Sequence, residues 1–404
     1  MPNGVSWGLI DQVLSSATNF GLALLAGRSL GPGGLGAISV GFSVYLLVLG
    51  FQRGLVSEPI VVASANMPTR ARTEAAGSAL AIVLIGAPLA ALATAGMGLA
   101  IGGEIGRALA LFAVWLVPAL VQDFWRAILF RDQRGEAAAA NDGVWALCML
   151  LAAIGLWSFR SDWSIVAAWG VGALAAALLG FAQTNIRPYR PTFAWRTWFR
   201  SSWPLGRWLG LDVIALNVGI QGAVFLLSAI VSTQDLGGLR ATQTIFAPLS
   251  LIGPALALPG LPAMKLELDV SERSARNLAF KLSSLITGLT VLYFSIVSPA
   301  GSWLLQTFFG EAFRPFSSLV IPVGLGQVLW AWAVGMILLL KVTGRGRSIF
   351  VSRIIGSAGG LLCTWILALR FGVIGGAWGM VVAPAAWAVC TTWTVLHRRE
   401  SPFR

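Results

Sequence analysis

The chain has 404 residues, 57% hydrophobic and only 11% charged, with a formal net charge of +12. Soluble domains carry about 25% charged residues, so this composition excludes a water-soluble globule and indicates a polytopic membrane protein. Apolar runs of about 20 residues recur from end to end, each able to cross ~30 Å of hydrocarbon as a helix, and none shows the period of two of a barrel strand.

In chain order the apolar runs fall at about 5–28, 37–63, 75–100, 107–130, 142–159 and 164–186, then 204–232, 238–264, 277–300, 315–341, 348–370 and 373–396. That is a prediction of about twelve spans. The first lacks a cationic leader and a small-residue cleavage site, which makes it a retained helix and not a signal peptide. Of the 28 basic residues, 20 fall in or beside every second loop, among them Arg70, Arg134, Arg187, Lys265, Arg345, Arg353 and Arg398. This is the positive-inside signature, which places those loops and both termini in the cytoplasm. The basic charge therefore concerns topology and anionic membrane lipids, and no nucleic-acid partner is expected. Arg187 to Trp203 interleaves Trp195, Trp198, Phe199 and Trp203 with Arg196 and Arg200, the pattern of an interfacial segment. The expected domains are a six-helix lobe at 1–186, this cytoplasmic linker at 187–203, and a second six-helix lobe at 204–404. Pro248, Pro254, Pro259 and Pro262 interrupt the eighth span, so that helix is expected to kink or partly unwind.

The halves echo one another. Trp7 and Asp11 return as Trp208 and Asp212, Pro118, Gln122 and Trp125 as Pro322, Gln327 and Trp330, and Ala168-Trp169-Gly170 as Ala377-Trp378-Gly379. Six spans per half is an even number, so the repeat is parallel, with a pseudo-two-fold along the membrane normal and a substrate path between the lobes. The small-residue strings at 170–177 and 356–360 are read as helix packing. Cys148, Cys363 and Cys390 lie within apolar spans as small core residues, and His397 is the only histidine. No metal site, catalytic dyad or cofactor is expected.

Trp7-Gly-Leu-Ile-Asp11-Gln12, Arg28-Ser-Leu-Gly-Pro32 and Leu55-Val-Ser-Glu58-Pro59 resemble the polysaccharide-exporting flippases of the MOP superfamily, the Wzx type of O-antigen and exopolysaccharide flippase. The resemblance implies a bacterial cytoplasmic-membrane transporter with two lobes around a central cavity. It also implies a polyprenyl-diphosphate-linked oligosaccharide as cargo, moved from the inner to the outer leaflet by alternating access. Polysaccharide assembly enzymes are the expected protein partners.

Ionisable groups at membrane depth are costly and mark pathways or binding sites. The candidates for cargo binding are Arg53, Arg207, Arg126, Gln52, Asn217 and Gln221. Arg53 offers a planar fork of donors for a diphosphate, or else pairs with Asp11, Glu58 or Asp123. Arg126 and Arg207 also read as interfacial anchors whose side chains snorkel. Asp11, Asp212, Glu58 and Asp123 are the candidates for coupling to H+ or Na+; otherwise the aspartates are buried partners of neighbouring helices, and Glu58 sits by the bend expected where Pro59 frees a carbonyl one turn back. Trp125, Trp208, Trp330 and Trp332 could stack on sugar rings, but they lie near span ends, where aromatic belts are expected, and the belt reading is preferred for most of them. No phosphate-binding loop occurs, so an ion gradient or the membrane potential must drive transport. A multidrug or cation exporter of the same superfamily is the alternative. A membrane glycosyltransferase or polymerase is disfavoured because no large loop exists to carry catalytic residues, so the chain reads as a non-enzyme.

Overall fold

The computed structural model of the chain describes residues 3–64, 67–188 and 191–397. Within them 93% of the chain is helical, with no strand. Among the described residues nine helical segments are long and apolar enough to cross a membrane. Two of these, Ile10–Val61 and Gly346–His397, are 52 residues each, far beyond one crossing of about 20 residues. Both contain a break. In α1 (Asn3–Gln52) the helix is interrupted at Gly31, with φ 68° and ψ −169°. In α12 (Gly346–His397) the interruption falls at Phe371 and Gly372. The connection expected between the runs 5–28 and 37–63 is thus compressed into a break at one residue, Gly31. A positive φ with ψ near 180° is open essentially to glycine alone, and Gly102 takes nearly the same conformation between α3 (Thr69–Ile101) and α4 (Gly103–Arg131). These glycines are why the connections are so short.

Pro59 shapes the next segment. Proline has no N–H to donate to the preceding turn, and the chain widens into a π-helical turn over Arg53–Ser57 before α2 (Glu58–Ala63). The Glu58 N–H donates to the Arg53 carbonyl, five residues back. Such turns recur at functional sites. Gly54 in this turn meets Gly210 of α7 (Pro191–Ser228) backbone to backbone, and a Cβ on either would strike the other's carbonyl.

The structure revises several expected boundaries. The fifth span, expected at 142–159, is α5 (Gly135–Gly155). Its alanine-rich start is modest in hydropathy but strong in helix propensity, so hydropathy placed the start too late. Helix α7 begins at Pro191, inside the expected linker, and runs without a break to Ser228. The side chains of Trp195, Arg196, Trp198, Phe199, Arg200 and Trp203 lie outside the described residues. The eighth span divides into α8 (Thr233–Ile245) and α9 (Leu249–Val270), with a turn at Phe246–Pro248 between them. The break expected from the prolines therefore falls at Pro248, while Pro254, Pro259 and Pro262 lie inside α9.

The chain forms two compact units, 1–217 and 218–404. In the first, α4 packs on α3 and α6 (Asp162–Thr184), α5 on α6, and α1 on α4 and α5. Its core holds Ile60, Leu80, Phe124 and Ile128, with Phe42, Tyr45 and Phe112 edge-on or tilted around Trp169. Glycines seat the indoles: Gly170 leaves room for Trp115, Gly172 for Trp145 and Gly180 for Trp125. This is close packing by small residues. Trp125 is wholly buried against Phe124 and Phe181, so the belt reading of this residue is corrected. The second unit packs α10 (Glu272–Phe309) on α9 and α11 (Val320–Val342), and α11 on α12. Large apolar side chains on the outer faces, such as Leu92 at 70% and Leu99 at 84% exposed, have no protein cover and fit a hydrocarbon solvent.

Candidate functional site

Three helices of the first unit bring polar residues to one place by helical spacing. From α1 come Asp11, Ser15 and Asn19, each four apart, and Tyr45 and Leu49, with Arg53 four residues further on at the start of the π-helical turn. From α4 come Gln122 and Arg126, with Asp123 between them. From α5 come Asn141, Asp142 and Trp145. Most of these line a cavity of about 190 Å³.

Two ion pairs organise the cavity wall. Arg53 donates from Nε to both oxygens of Asp123, at 3.1 Å each, and its Nη2 also meets Asp123 Oδ1. Arg126 donates from Nε to Asp11 Oδ2 at 2.8 Å, its Nη2 meets the same oxygen, and Asp142 Oδ2 lies 3.7 Å from that Nε. Asp11 is fully buried, Asp123 and Asp142 nearly so. Arg53 keeps 39% of its side chain accessible, against 19% for Arg126. Its Nη1 takes no protein acceptor among the described residues.

A second layer of hydrogen bonds fixes these groups. Gln122 Nε2 donates to Asp142 Oδ1 at 2.8 Å and to Asn141 Oδ1 at 3.1 Å. Asn141 Nδ2 donates to the Ala176 carbonyl at 2.8 Å and to Gln183 Oε1 at 3.0 Å, and Gln183 Nε2 to the Ala137 carbonyl at 2.9 Å. Gln52 Nε2 donates to the Leu120 carbonyl at 2.8 Å, tying the π-helical turn to α4. Two buried side-chain atoms of this cluster are left over. Neither Asp11 Oδ1 nor Trp145 Nε1 has a protein partner among the described residues. With all five charged groups ionised, three carboxylates face two guanidiniums, and one negative charge stays uncompensated. Burying an uncompensated charge costs several kcal/mol.

Among the sequence candidates, Asp11, Gln52, Arg53, Asp123 and Arg126 come together here. Arg126 is an internal ion-pair partner, which corrects its reading as a snorkelling anchor; its charge is neutralised within the unit. Arg207 is exposed, with its guanidinium over the Trp208 ring at 5.3 Å. Asp212 is buried in α7, and Asn217 Nδ2 donates to the Val213 carbonyl one turn back at 2.9 Å. Glu58 is half-buried and opens α2. Gln221 is buried in the second unit. None of these five lines the cavity. The sequence reading missed Gln122 as a polar anchor, along with Asn141 and Asp142. An adjacent Asn-Asp pair inside an alanine run was the available signal, but the late boundary placed it at a helix end.

No protein-family model matches the sequence, and no curated protein does. Solved structures do match. A MurJ lipid II flippase in an inward closed conformation superposes with a TM-score of 0.78 at 10% identity, covering 98% of this chain and 87% of that one. An inward-facing MATE multidrug resistance transporter gives 0.69 at 15% identity, with 95% and 93% covered. A MOP superfamily transporter from Pyrococcus furiosus gives 0.67 at 15%, with 96% and 94% covered. At such identities the likeness is one of fold. The chain is a multi-pass helical membrane protein with the fold of MOP superfamily transporters.

Proposed function

We propose that the protein is a flippase of the Wzx type, moving a polyprenyl-diphosphate-linked oligosaccharide from the inner to the outer leaflet of a bacterial cytoplasmic membrane by alternating access. The observation that carries this reading is Arg53. It is the most accessible charge of the buried cluster, with 39% of its side chain uncovered, stands on a π-helical turn, and has no protein acceptor at Nη1 among the described residues. A guanidinium fork suits a diphosphate, and Asp123 holds it in place until an anion competes for it. Bilayer lipids present the cargo, and H+ or Na+ drives the cycle. The surplus negative charge at Asp11, Arg126 and Asp142 supports that coupling, because one proton or one monovalent cation would neutralise it. That same surplus favours the second reading, a multidrug or cation exporter, in which an organic cation takes the ion's place.

Equilibrium binding to purified protein in lipid nanodiscs separates the two. The flippase reading expects a short-chain prenyl diphosphate to bind and to compete with its glycosylated form, and expects Arg53→Ala to weaken binding by tenfold or more. Saturable binding of tetraphenylphosphonium with no diphosphate binding would replace this reading with the exporter.

A further inference from the structure

The second unit holds a larger cavity of different chemistry. It measures about 370 Å³ and is bounded by α7, α8, α11 and α12, with Trp330, Trp387, Gln243, Gln327 and Thr364 in its wall. That volume lies in the range of small-ligand sites, about 300–1,000 Å³. No ionisable side chain lines it, in contrast to the charged cavity of the first unit.

Its two indoles are held firmly. Trp330 and Trp387 meet edge to face, with ring centroids 5.3 Å apart at 72°. The guanidinium of Arg353 stands 4.6 Å from both centroids, and Trp387 Nε1 donates to the Arg353 carbonyl at 3.3 Å. Trp387 fills the room that Gly356 leaves. Arg353 is buried at 4% exposure, so its reading as a loop-side topological charge is corrected: it braces an aromatic wall.

Thr364 supplies the second observation. Among the described residues six threonines are buried, and Thr94, Thr242, Thr244, Thr290 and Thr391 each donate to the carbonyl four residues back. Thr364, with no exposed surface, leaves its hydroxyl without any partner. Helix geometry offers the same local acceptor at every such site, and a buried unmade hydrogen bond costs about 1–3 kcal/mol.

We infer that this cavity binds a neutral sugar ring. The partly exposed Trp330 indole, backed by the buried Trp387, stacks on the apolar face of such a ring, while the two glutamine amides and the Thr364 hydroxyl pair with its hydroxyls. An anion finds no cation in the wall and a cation finds no carboxylate. A hydrocarbon chain leaves Thr364 and both amides unpaired. The inference rests on the cavity's own chemistry. A sugar of a lipid-linked glycan and a free sugar satisfy it alike.

Gly326 lines the cavity, and a Cβ there meets only Pro384 Cγ at 3.9 Å, so Gly326→Cys, with the three native cysteines replaced by alanine, reports occupancy by maleimide labelling in glycolipid-free nanodiscs. The probes are a neutral methyl pyranoside, a neutral disaccharide on a short prenyl diphosphate, the unglycosylated prenol, and tetraphenylphosphonium. Slowing of labelling by threefold or more with the sugar-bearing probes alone is expected. Protection by both sugar probes assigns a general sugar site, and protection by the glycolipid alone assigns a cargo subsite. Thr364→Val and, separately, Gln327→Leu should weaken protection by about five- to tenfold while the thermal midpoint stays within a few degrees. Equal protection by the prenol, protection by the cation, or none with any sugar overturns the inference. Glycolipid transport with the Gly326→Cys site unprotected would end this proposal and leave the flippase reading standing; sugar protection without glycolipid transport would do the reverse.

Discussion

Arg53 separates binding from pairing at the scale of one side chain. Removing it leaves Asp123 buried and unpartnered, which costs up to about 3 kcal/mol, the low end for a buried pair because 39% of the Arg53 side chain is not covered by protein. Arg53→Ala should therefore lose both stability and glycolipid transport, and Arg53→Lys should recover only part of the transport, since it keeps the charge without the fork. The informative variant is Arg53→Ala with Asp123→Asn, measured for melting and for transport. Recovered melting with transport still absent is expected. Recovered transport would assign Arg53 to helix pairing alone. The same logic applies to Asp11 and Asp142. Asp142→Asn removes the surplus charge and leaves Arg126 paired with Asp11; it should uncouple flipping from an imposed ion gradient while flipping under a membrane potential alone persists, and unchanged gradient-driven flipping would remove the ion from the account. Arg53 and Asp11 were legible in the sequence because isolated charges inside apolar runs are conspicuous. Asp142 was not, since its visibility depends on a helix start that hydropathy misplaced. Nor was the choice of Asp123 as the partner of Arg53, because partners 70 residues apart are set by helix packing and not by local pattern.

Helices and their corners show where sequence pattern suffices. Apolar length marked the crossings, and Pro59 and Pro248 marked irregular backbone, as the π-helical turn and the α8–α9 break show. The kind of irregularity was not legible, because a widened turn and a bend are both answers to a missing N–H. Gly102 offers a clean test of the corners. Its backbone lies in the region that only glycine occupies without strain, at about 1–3 kcal/mol for another residue. Gly102→Ala should lower the thermal midpoint by several degrees. Gly86→Ala should leave it level or raise it slightly, because that helical glycine faces open space and alanine is the better helix former. Equal effects in the two variants would mean that the corner carries no strain.

At the scale of the whole molecule, the fold class came from composition and the run of apolar spans, and the likeness to MOP superfamily transporters over nearly the full chain agrees with that reading. The orientation in the membrane rests on the distribution of arginines. Reporters that mature only in the cytoplasm should be active when fused to either terminus and inactive when inserted at Gly102 or Gly310; activity at only one terminus would contradict twelve crossings. The central claim, that an anionic glycolipid is the cargo, is tested most directly by transport itself. Purified protein in liposomes would be given a polyprenyl-diphosphate-linked oligosaccharide in one leaflet and an organic cation in solution, with a proton or sodium gradient imposed. The account predicts protein-dependent appearance of the glycan in the opposite leaflet and no movement of the cation. Gradient-driven movement of the cation with a stationary glycolipid would contradict it.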